Sequence, residues 1–268
     1  MVLSFCSFSS GSSGNCYLVK ADSSAVLVDA GISTSRIMNG LLASRTDPEE
    51  IQGILITHEH SDHIRGLDVL SRRLSDAKVY ATEGTMRKLR SARVPESCRI
   101  VSAGENHSIG KLEVDVFAVS HDAAEPIGFS IGLGGKRVCI ITDTGVVTEE
   151  MLSVAAEADI LVLEANHDVS MLKKGRYPPL LKQRILGREG HLSNTQAAET
   201  IATIMGLDRK PRCVLLAHLS RDNNDPYVAE KTVSEILAEM DYHSGRDFFL
   251  KPLLRDKMSA VFEVDIEI

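Results

Sequence analysis

Four side chains of the kind that bind metal ions fall within six residues of this 268-residue chain. They are His58, His60, Asp62 and His63, and they follow an apolar segment, residues 51–57, that is typical of a β-strand. The cluster is therefore expected in a loop at the end of a strand. Because side chains of an extended segment alternate in direction, His58 and His60 point the same way and can chelate one ion. Asp62 and His63, beyond the turn, can serve a second ion.

Three further candidate ligands, His121, Asp143 and His218, occupy the same kind of position, each directly after a predicted strand. A single residue of this kind is more often a capping or hydrogen-bonded group than a ligand. Their repeated placement at strand ends favours ligation. Histidine and carboxylate ligands together suit Zn²⁺, Mn²⁺ or Fe²⁺, and the sequence does not choose between zinc and manganese.

Short apolar segments alternate with amphipathic segments along the chain, which predicts an α/β fold with helices packed on sheets. The predicted strands are residues 25–29, 51–57, 112–120, 137–142, 160–164 and 212–217. The predicted helices are residues 33–44, 62–75, 148–156, 193–205 and 226–240. Hairpin-like segments at residues 3–8, 15–20 and 258–268 indicate that the sheets are not purely parallel. No linker or repeat interrupts residues 1–268, so a single domain is expected.

Composition narrows the setting in which the protein works. Apolar residues make up 43% of the chain, yet no apolar run reaches the roughly 20 residues that span a bilayer. The first 15 residues do not resemble a signal peptide. The cysteines are odd in number and form no CxxC pair, which argues against a disulfide framework. We expect a cytoplasmic protein that does not contact membranes.

Two basic stretches stand out in a chain whose net charge is −7. One runs from residue 71 to residue 99, and the other, residues 173–188, contains no acidic residue. Such stretches are often solvated helix faces. They are also typical of a surface that binds a polyanion, and Tyr177-Pro178-Pro179 indicates that the second one is an ordered excursion rather than one long helix.

The histidine and aspartate cluster and the three strand-end residues described above resemble the motifs of the metallo-β-lactamase-fold hydrolases. This resemblance covers nearly the whole chain. Asp29, in Val28-Asp29-Ala30-Gly31, matches the first motif of the family, and the cluster and the three strand-end residues match the others. The resemblance implies a four-layer αββα sandwich with two divalent ions at one edge. By the same resemblance, one ion is held by His58, His60 and His121, the other by Asp62, His63 and His218, and Asp143 bridges both. Asp29 would orient ligand groups.

Two further strings resemble the ribonuclease Z-type phosphodiesterase branch of this family. Leu163-Glu164-Ala165-Asn166 is similar to its glutamate box, and Gly190-His191-Leu192-Ser193-Asn194 is similar to its histidine box. With the loop of residues 10–15, they look most like the bacterial YycJ/WalJ-like subgroup, whose members are regarded as DNA 5′-exonucleases linked to repair. The alternatives are that His191 only caps the following helix and that Glu164 pairs with a nearby arginine.

The predicted chemistry is phosphodiester hydrolysis by a metal-bound hydroxide, with Asp62, Glu164 and His191 as the catalytic residues. His191 would act as the general acid and Glu164 would hold it by a hydrogen bond. The candidate contacts to substrate phosphates are Ser220, Arg221, Asn223, Lys182 and Arg184. Backbone N–H groups of the Ser/Gly loop, residues 9–14, are a further candidate, although the loop is equally well explained as a hairpin turn.

Three functions remain open at the level of the sequence. The first is a DNA 5′-to-3′ exonuclease, with DNA favoured over RNA as the substrate. The second is a hydrolase of a small substrate, such as a cyclic phosphodiester or a thioester. The third is a metal-stabilised binding module without catalysis, which the complete set of ligands disfavours. The sequence does not indicate any protein partner.

Overall fold

The computed structural model describes residues 1–89, 98–210 and 212–266. The strands are Val2–Ser9 (β1), Cys16–Ala21 (β2), Ser24–Val28 (β3), Ile51–Leu55 (β4), Lys78–Ala81 (β5), Cys98–Ile100 (β6), Asn106–Ile109 (β7), Leu112–Ala118 (β8), Ile127–Leu133 (β9), Lys136–Ile141 (β10), Ile160–Glu164 (β11), Arg212–Ala217 (β12), Phe248–Pro252 (β13) and Phe262–Asp265 (β14). The helices are Thr34–Ala43 (α1), Ser61–Ile64 (α2), Leu67–Arg73 (α3), Glu83–Leu89 (α4), Glu149–Ala156 (α5), Val169–Lys174 (α6), Pro179–Leu186 (α7), Asn194–Leu207 (α8) and Pro226–Glu239 (α9).

The strands form two sheets, each of seven strands in the part of the chain that the structure describes. The first has the order β14-β1-β2-β3-β4-β5-β6 and the second the order β13-β12-β11-β10-β9-β8-β7. In both, antiparallel pairs at one side give way to parallel pairs, such as β3 with β4 and β10 with β11. The prediction that the sheets are not purely parallel is therefore confirmed.

The burial of β11 shows how the layers are held together. Every residue of this strand is buried, and its side chains alternate between two apolar cores. Ile160 and Val162 lie in the core between the sheets, whereas Leu161 and Leu163 pack in the outer core against α5, α8 and α9. A third core lies between the first sheet and α1. The layers are thus helix, sheet, sheet, helix, as the αββα prediction requires.

The predicted helix of residues 62–75 is wrong in one respect, because it is two helices, α2 and α3, with Gly66 between them. The N–H of Gly66 donates to the carbonyl of Ala30 at 2.7 Å. A Cβ atom at this position would lie only 2.1 Å from the carbonyl oxygen of Ile32. The break lets the backbone carrying Asp62 and His63 pack directly against the loop that follows β3.

The other predicted elements differ from the structure mainly at their ends. The segment of residues 258–268 is a strand only over β14, and residues 267 and 268 lie outside the described residues. Arg90 and Arg93 of the first basic stretch also lie outside them. The second basic stretch forms α6 and α7 around the Tyr177-Pro178-Pro179 break, so the ordered excursion is confirmed. No helix in the described ranges combines the length and the apolar character needed to cross a membrane.

Candidate metal centre

The candidate ligands meet where strands of both sheets end. Asp29 follows β3, His58 comes shortly after β4, Asp143 follows β10, and His218 follows β12 directly. Asp29, Asp143 and His218 adopt positive φ angles of 62°, 57° and 53°. This left-handed conformation is uncommon for residues with a side chain and tends to occur at functional sites. It turns three side chains toward one point as each strand gives way to its loop.

One group of candidate ligands consists of His58, His60 and His121. One ring nitrogen of each histidine lies within 4.8 Å of a ring nitrogen of the other two. Nε2 of His58 is 3.1 Å from Nδ1 of His60, which bears out the expectation that these side chains point the same way. The ring of His121 is 5.1 Å from each of the other two rings, measured between centroids. The sequence places His121 far from the cluster, and the fold brings it there.

The second group consists of Asp62, His63 and His218. The ligand atoms of these three residues also lie within 4.8 Å of one another. Oδ2 of Asp62 is 3.5 Å from Nε2 of His63 and 3.4 Å from Nε2 of His218. The two groups match the two ligand sets that the family resemblance implies.

Asp143 lies between the two groups. Its Oδ2 is 3.3 Å from Nε2 of His63, and its Oδ1 is 3.4 Å from Nδ1 of His218. With His58 and His63 it forms a third set of ligand atoms within 4.8 Å. Oδ2 is buried and accepts no hydrogen bond from the described residues. A buried carboxylate oxygen without a donor is costly unless a cation neutralises it, so this atom fits a bound divalent ion.

Hydrogen bonds outside the centre determine which nitrogen of three histidines faces inward. Nδ1 of His63 lies 2.7 Å from Oδ2 of Asp29, and Nδ1 of His218 lies 2.9 Å from Oε1 of Glu164. Nδ1 of His121 lies 3.1 Å from the carbonyl oxygen of Glu189. An acceptor at Nδ1 places the proton there and leaves Nε2 with a lone pair for a metal ion. Asp29 thus has the orienting position that the resemblance implies.

His191 lies beside the centre and is held by Glu164. Its Nδ1 is 2.8 Å from Oε1 of Glu164. The other carboxylate oxygen of Glu164 accepts from the backbone N–H groups of Thr144 at 3.0 Å and Leu192 at 3.3 Å. The partners of this buried glutamate are histidines and backbone groups rather than an arginine. The cap of α8 is Ser193, whose side chain accepts from the N–H of Gln196, so His191 is not the capping residue.

The charges of this pair shift both pKa values. Burial acts on the pKa of Glu164 most strongly and raises it, but the charge of His191 and its hydrogen bond lower it to about 2. Burial likewise tends to lower the pKa of His191. The charge and hydrogen bond of Glu164, with the charge of Asp143, outweigh burial and raise that pKa above the ordinary histidine value. His191 therefore keeps its proton to a higher pH than a free imidazole does.

The residues predicted to contact substrate phosphates lie in two places. Ser220 and Asn223 are buried in the loop after His218, where Oγ of Ser220 accepts from the N–H of Asn223 at 3.2 Å, and Arg221 is exposed. Nζ of Lys182 donates to the carbonyl oxygens of Lys173 and Gly175, at 2.8 and 2.7 Å. Lys182, in α7, thus links this helix to the end of α6.

Two further phosphate-contact candidates are partly occupied by bonds within the protein. Arg184 forms an ion pair with Asp122. In the Ser/Gly loop, the N–H of Gly14 donates to the carbonyl of Gly11 and the N–H of Gly11 donates to Oδ1 of Asn15, which supports the hairpin-turn interpretation. All of these phosphate contacts stay predictions.

Several contacts of the centre were not predicted. Oγ1 of Thr57 lies 3.0 Å from Nδ1 of His58 and 3.0 Å from Oδ1 of Asp29. Nδ2 of Asn15 lies 3.1 Å from Nε2 of His63. Asn15 belongs to the loop of residues 10–15, which resembles the YycJ/WalJ-like subgroup. That resemblance singled out the residue but did not predict its contact with His63. The bond between Glu164 and His218 had no signal in the sequence.

Comparisons with known proteins agree with this geometry. The family described as "Beta-lactamase superfamily domain" matches residues 24–219. Exodeoxyribonuclease YycJ of Bacillus anthracis is 40% identical over 251 residues, which cover 92% of this chain and 94% of the relative. Exodeoxyribonuclease WalJ of Streptococcus pneumoniae serotype 2 is 37% identical over 260 residues, or 95% and 96% of the two chains. The structure of YhfI from Bacillus subtilis, a metallo-β-lactamase-fold protein, superimposes with a TM-score of 0.72 at 14% identity and covers 98% of this chain and 99% of that one.

Proposed function

Because the chain belongs to the β-lactamase superfamily and has its metallo-β-lactamase fold, it is a metal-dependent hydrolase, and we propose that it degrades DNA as a 5′-to-3′ exonuclease. The observation that carries this proposal is the pair of His191 and Glu164 beside the candidate metal centre. The exodeoxyribonuclease names of two relatives, 40% and 37% identical over nearly their whole length, support DNA as the substrate. The proposed 5′-to-3′ direction rests on a resemblance to the YycJ/WalJ-like subgroup. The segments that carry this resemblance are the loop of residues 10–15, the glutamate box and the histidine box.

We propose further that the centre holds two ions, Zn²⁺ or Mn²⁺. One would bind to His58, His60 and His121, the other to Asp62, His63 and His218, with Asp143 shared. When bound, such ions would supply positive charge to the phosphate oxygens and lower the pKa of water, so that it loses a proton near neutral pH and becomes a nucleophile.

The contribution of His191 is proton transfer. Glu164 fixes Nδ1, so Nε2 is the atom that can donate to the departing oxygen of the substrate. In a 5′-exonuclease that releases nucleoside monophosphates, this oxygen is the 3′ oxygen of the terminal nucleotide. Hydrolysis of a thioester needs no such donor, because the departing thiolate is already a stable anion. The pair is therefore better explained by a phosphodiester substrate.

The basic excursion between Glu164 and His191 also supports a polyanionic substrate. Among the described residues, none of its lysines forms an ion pair with a carboxylate, and neither do Arg176 and Arg188. Unpaired basic groups next to a hydrolytic centre are suited to phosphates of a nucleic-acid backbone. Arg184 is the exception, because it pairs with Asp122.

We also propose that the protein acts in the cytoplasm, in DNA repair, and as a single domain over residues 1–268. None of the five cysteines forms a disulfide, which supports a reducing compartment. The link to repair rests on the resemblance to the YycJ/WalJ-like subgroup.

The test of the proposed function is a time course on single-stranded DNA and RNA labelled at either end, with Zn²⁺ or Mn²⁺ added. A 5′-to-3′ exonuclease releases the 5′ label first as a mononucleotide, and the 3′-labelled strand shortens progressively. Release of the 3′ label first would contradict the direction. Turnover of bis-p-nitrophenyl phosphate without any cleavage of DNA would favour the small-substrate hydrolase.

His191→Ala is expected to reduce kcat on DNA by about 10²- to 10⁴-fold, because the general acid is lost. The ligand groups stay in place, so the metal content, measured by mass spectrometry of the dialysed protein, should equal that of the wild type. His243→Ala is the matched control, since this histidine is exposed and pairs with Asp241. Undiminished cleavage by His191→Ala would exclude the proposed role.

A further inference from the structure

A cavity of about 580 Å³ lies beside the Ser/Gly loop, and the chemistry proposed above does not use it. It lies between the beginning of α1 and the turn that joins α2 to α3. Its lining includes Ser13, Ser33, Ser35, Arg36 and Arg65. Acidic residues are absent from this lining, and two of its members are arginines.

The two arginines, Arg36 and Arg65, are exposed, and neither pairs with a carboxylate anywhere in residues 1–89, 98–210 or 212–266. Arg65 uses Nη1 to donate to the carbonyl oxygen of Ser13 at 3.2 Å, which anchors one of its two terminal nitrogens. Guanidinium groups and nearby serine hydroxyls together suit a phosphate group.

The cavity adjoins one end of the candidate metal centre. Arg65 lies three residues after Asp62, and Ser13 lies two residues before Asn15. The N–H of Asn15 donates to the carbonyl of Asp62 at 2.7 Å, which joins the Ser/Gly loop to α2. Asn15 also contacts His63, with Nδ2 3.1 Å from Nε2. Among the described residues, the ring of His191 contacts those of His121, at 5.1 Å, and His218, at 5.4 Å, and not that of His63, so His191 lies on the side of the centre away from the cavity.

We propose that Arg36 and Arg65 bind backbone phosphates of the substrate strand, on the side that keeps the scissile phosphate after cleavage. This inference rests on the proposed function. Because His191 donates a proton to the departing oxygen, the released nucleotide lies at the His191 end of the centre. The remaining strand then leaves past Asp62 and His63, toward the cavity. These arginines determine affinity for long strands and do not take part in the chemical step.

The test compares binding of fluorescein-labelled single-stranded DNA to the full-length protein in EDTA, where cleavage is suppressed, over a range of salt concentrations. Each phosphate contact on a single strand contributes about 0.7 to the slope of log K against log salt, so Arg36→Ala should reduce the slope by roughly 0.7 and Arg36→Ala with Arg65→Ala by roughly 1.4. The paired lysine substitutions should restore the slope. Arg36→Ala alone leaves the bond from Arg65 to Ser13 intact, which protects the test against misfolding.

Arg45→Ala is the matched control, because Arg45 is exposed beyond the end of α1, outside the cavity and outside both basic stretches. Its slope should equal that of the wild type, and equal slopes for Arg45→Ala and the double variant would overturn the inference. With metal present, the deficit of the double variant in kcat/KM should grow as nucleotides are added on the phosphate-retaining side of the cleavage point. A deficit that grows with additions on the other side would also overturn it. A wild-type protein that neither binds nor cleaves DNA would instead refute the proposed function itself.

Discussion

At the scale of single residues, Glu164 contacts both the proposed proton donor, His191, and a candidate metal ligand, His218. The sequence had linked it only to His191. One of its oxygens, Oε1, lies 2.8 Å from Nδ1 of His191 and 2.9 Å from Nδ1 of His218. The first contact prepares the proposed proton donor, and the second directs Nε2 of His218 toward Asp62. A change at this residue is therefore expected to alter both catalysis and metal binding.

Glu164→Gln tests this connection. The amide keeps the size of the side chain but removes the charge that raises the pKa of His191. Because the proposed donor acts only when protonated, activity falls as the pH rises through that pKa. The alkaline limb of the kcat profile on DNA should therefore move to lower pH, and kcat should fall by about 10²-fold. Glu189→Gln, an exposed neighbour, should leave the profile unchanged. An unshifted limb would contradict the role of Glu164.

The clustering of the candidate ligands was predictable, because metal binding requires particular side chains and their positions after apolar strands can be read from the sequence. His58, His60 and His121 are examples, since each follows a strand. The outer contacts were not predictable. Which nitrogen of His121 faces inward depends on the carbonyl of Glu189, 68 residues away in sequence, and that carbonyl is placed by the excursion.

At the scale of elements, Arg212 joins the ends of two helices to the second sheet. Its buried guanidinium group donates from Nη1 to the carbonyl of Ala155 at 3.1 Å, near the end of α5. From Nη2 it donates to the carbonyl of Asp208 at 2.7 Å, just beyond α8. A cation at the carboxyl end of a helix is favourable, and Arg212 supplies a charged donor to carbonyls at two such ends.

Arg212→Met is expected to lower the free energy of unfolding by about 2–4 kcal/mol, because buried carbonyl groups lose a charged donor. Lys210→Met is the control. Lys210 also bonds a carbonyl, that of Glu157, but from a more accessible position, and its loss should cost less than about 1 kcal/mol. Urea unfolding measures both values. Equal effects of the two substitutions would refute the capping role of Arg212.

Not every strand could be predicted, and β9 shows why. Its sequence contains Gly128 and Gly132, which are typical of turns. In the sheet, a Cβ atom at position 128 would lie 2.4 Å from the ring of Phe117 in the neighbouring strand β8. The glycine is there because an aromatic side chain of another strand needs the space. Only the pairing of β8 with β9, which is a tertiary property, reveals this reason.

At the scale of the whole molecule, the centre concentrates ionisable groups that depend on one another. The pKa of His218 is subject first to burial, which lowers it, but Asp143, Asp62 and Glu164 raise it to about 10. The pKa of His63 is also raised, by Asp29 and Asp143 against the effect of burial. In the protein without metal, these histidines therefore hold protons that the unfolded chain releases near pH 6.5.

The stability of the metal-free protein should consequently fall as the pH rises from about 7 to 9, because the folded state binds more protons than the unfolded state in this range. With Zn²⁺ or Mn²⁺ present, the fall should disappear, since metal ions bind deprotonated histidine and their affinity increases with pH. Urea unfolding at three pH values, with EDTA or with metal, measures both trends. His218→Gln should weaken the dependence in EDTA, whereas His243→Gln should not. A metal-free stability that rises over this range would contradict the linkage.

The pairing of β1 with β14 has a consequence for how the protein is made. The Ser/Gly loop that follows β1 is held by the far end of the chain, because the N–H of Ser10 donates to the carbonyl of Leu254 at 3.3 Å and Oγ of Ser9 bonds the carbonyl of Arg255. A ribosome that adds about 5–20 residues per second needs roughly 12–50 s to travel from one partner to the other. During that interval, the nascent chain carries its candidate metal ligands without the segment that closes the loop beside them. The candidate metal centre should therefore be completed only after residues 254 and 255 have been added.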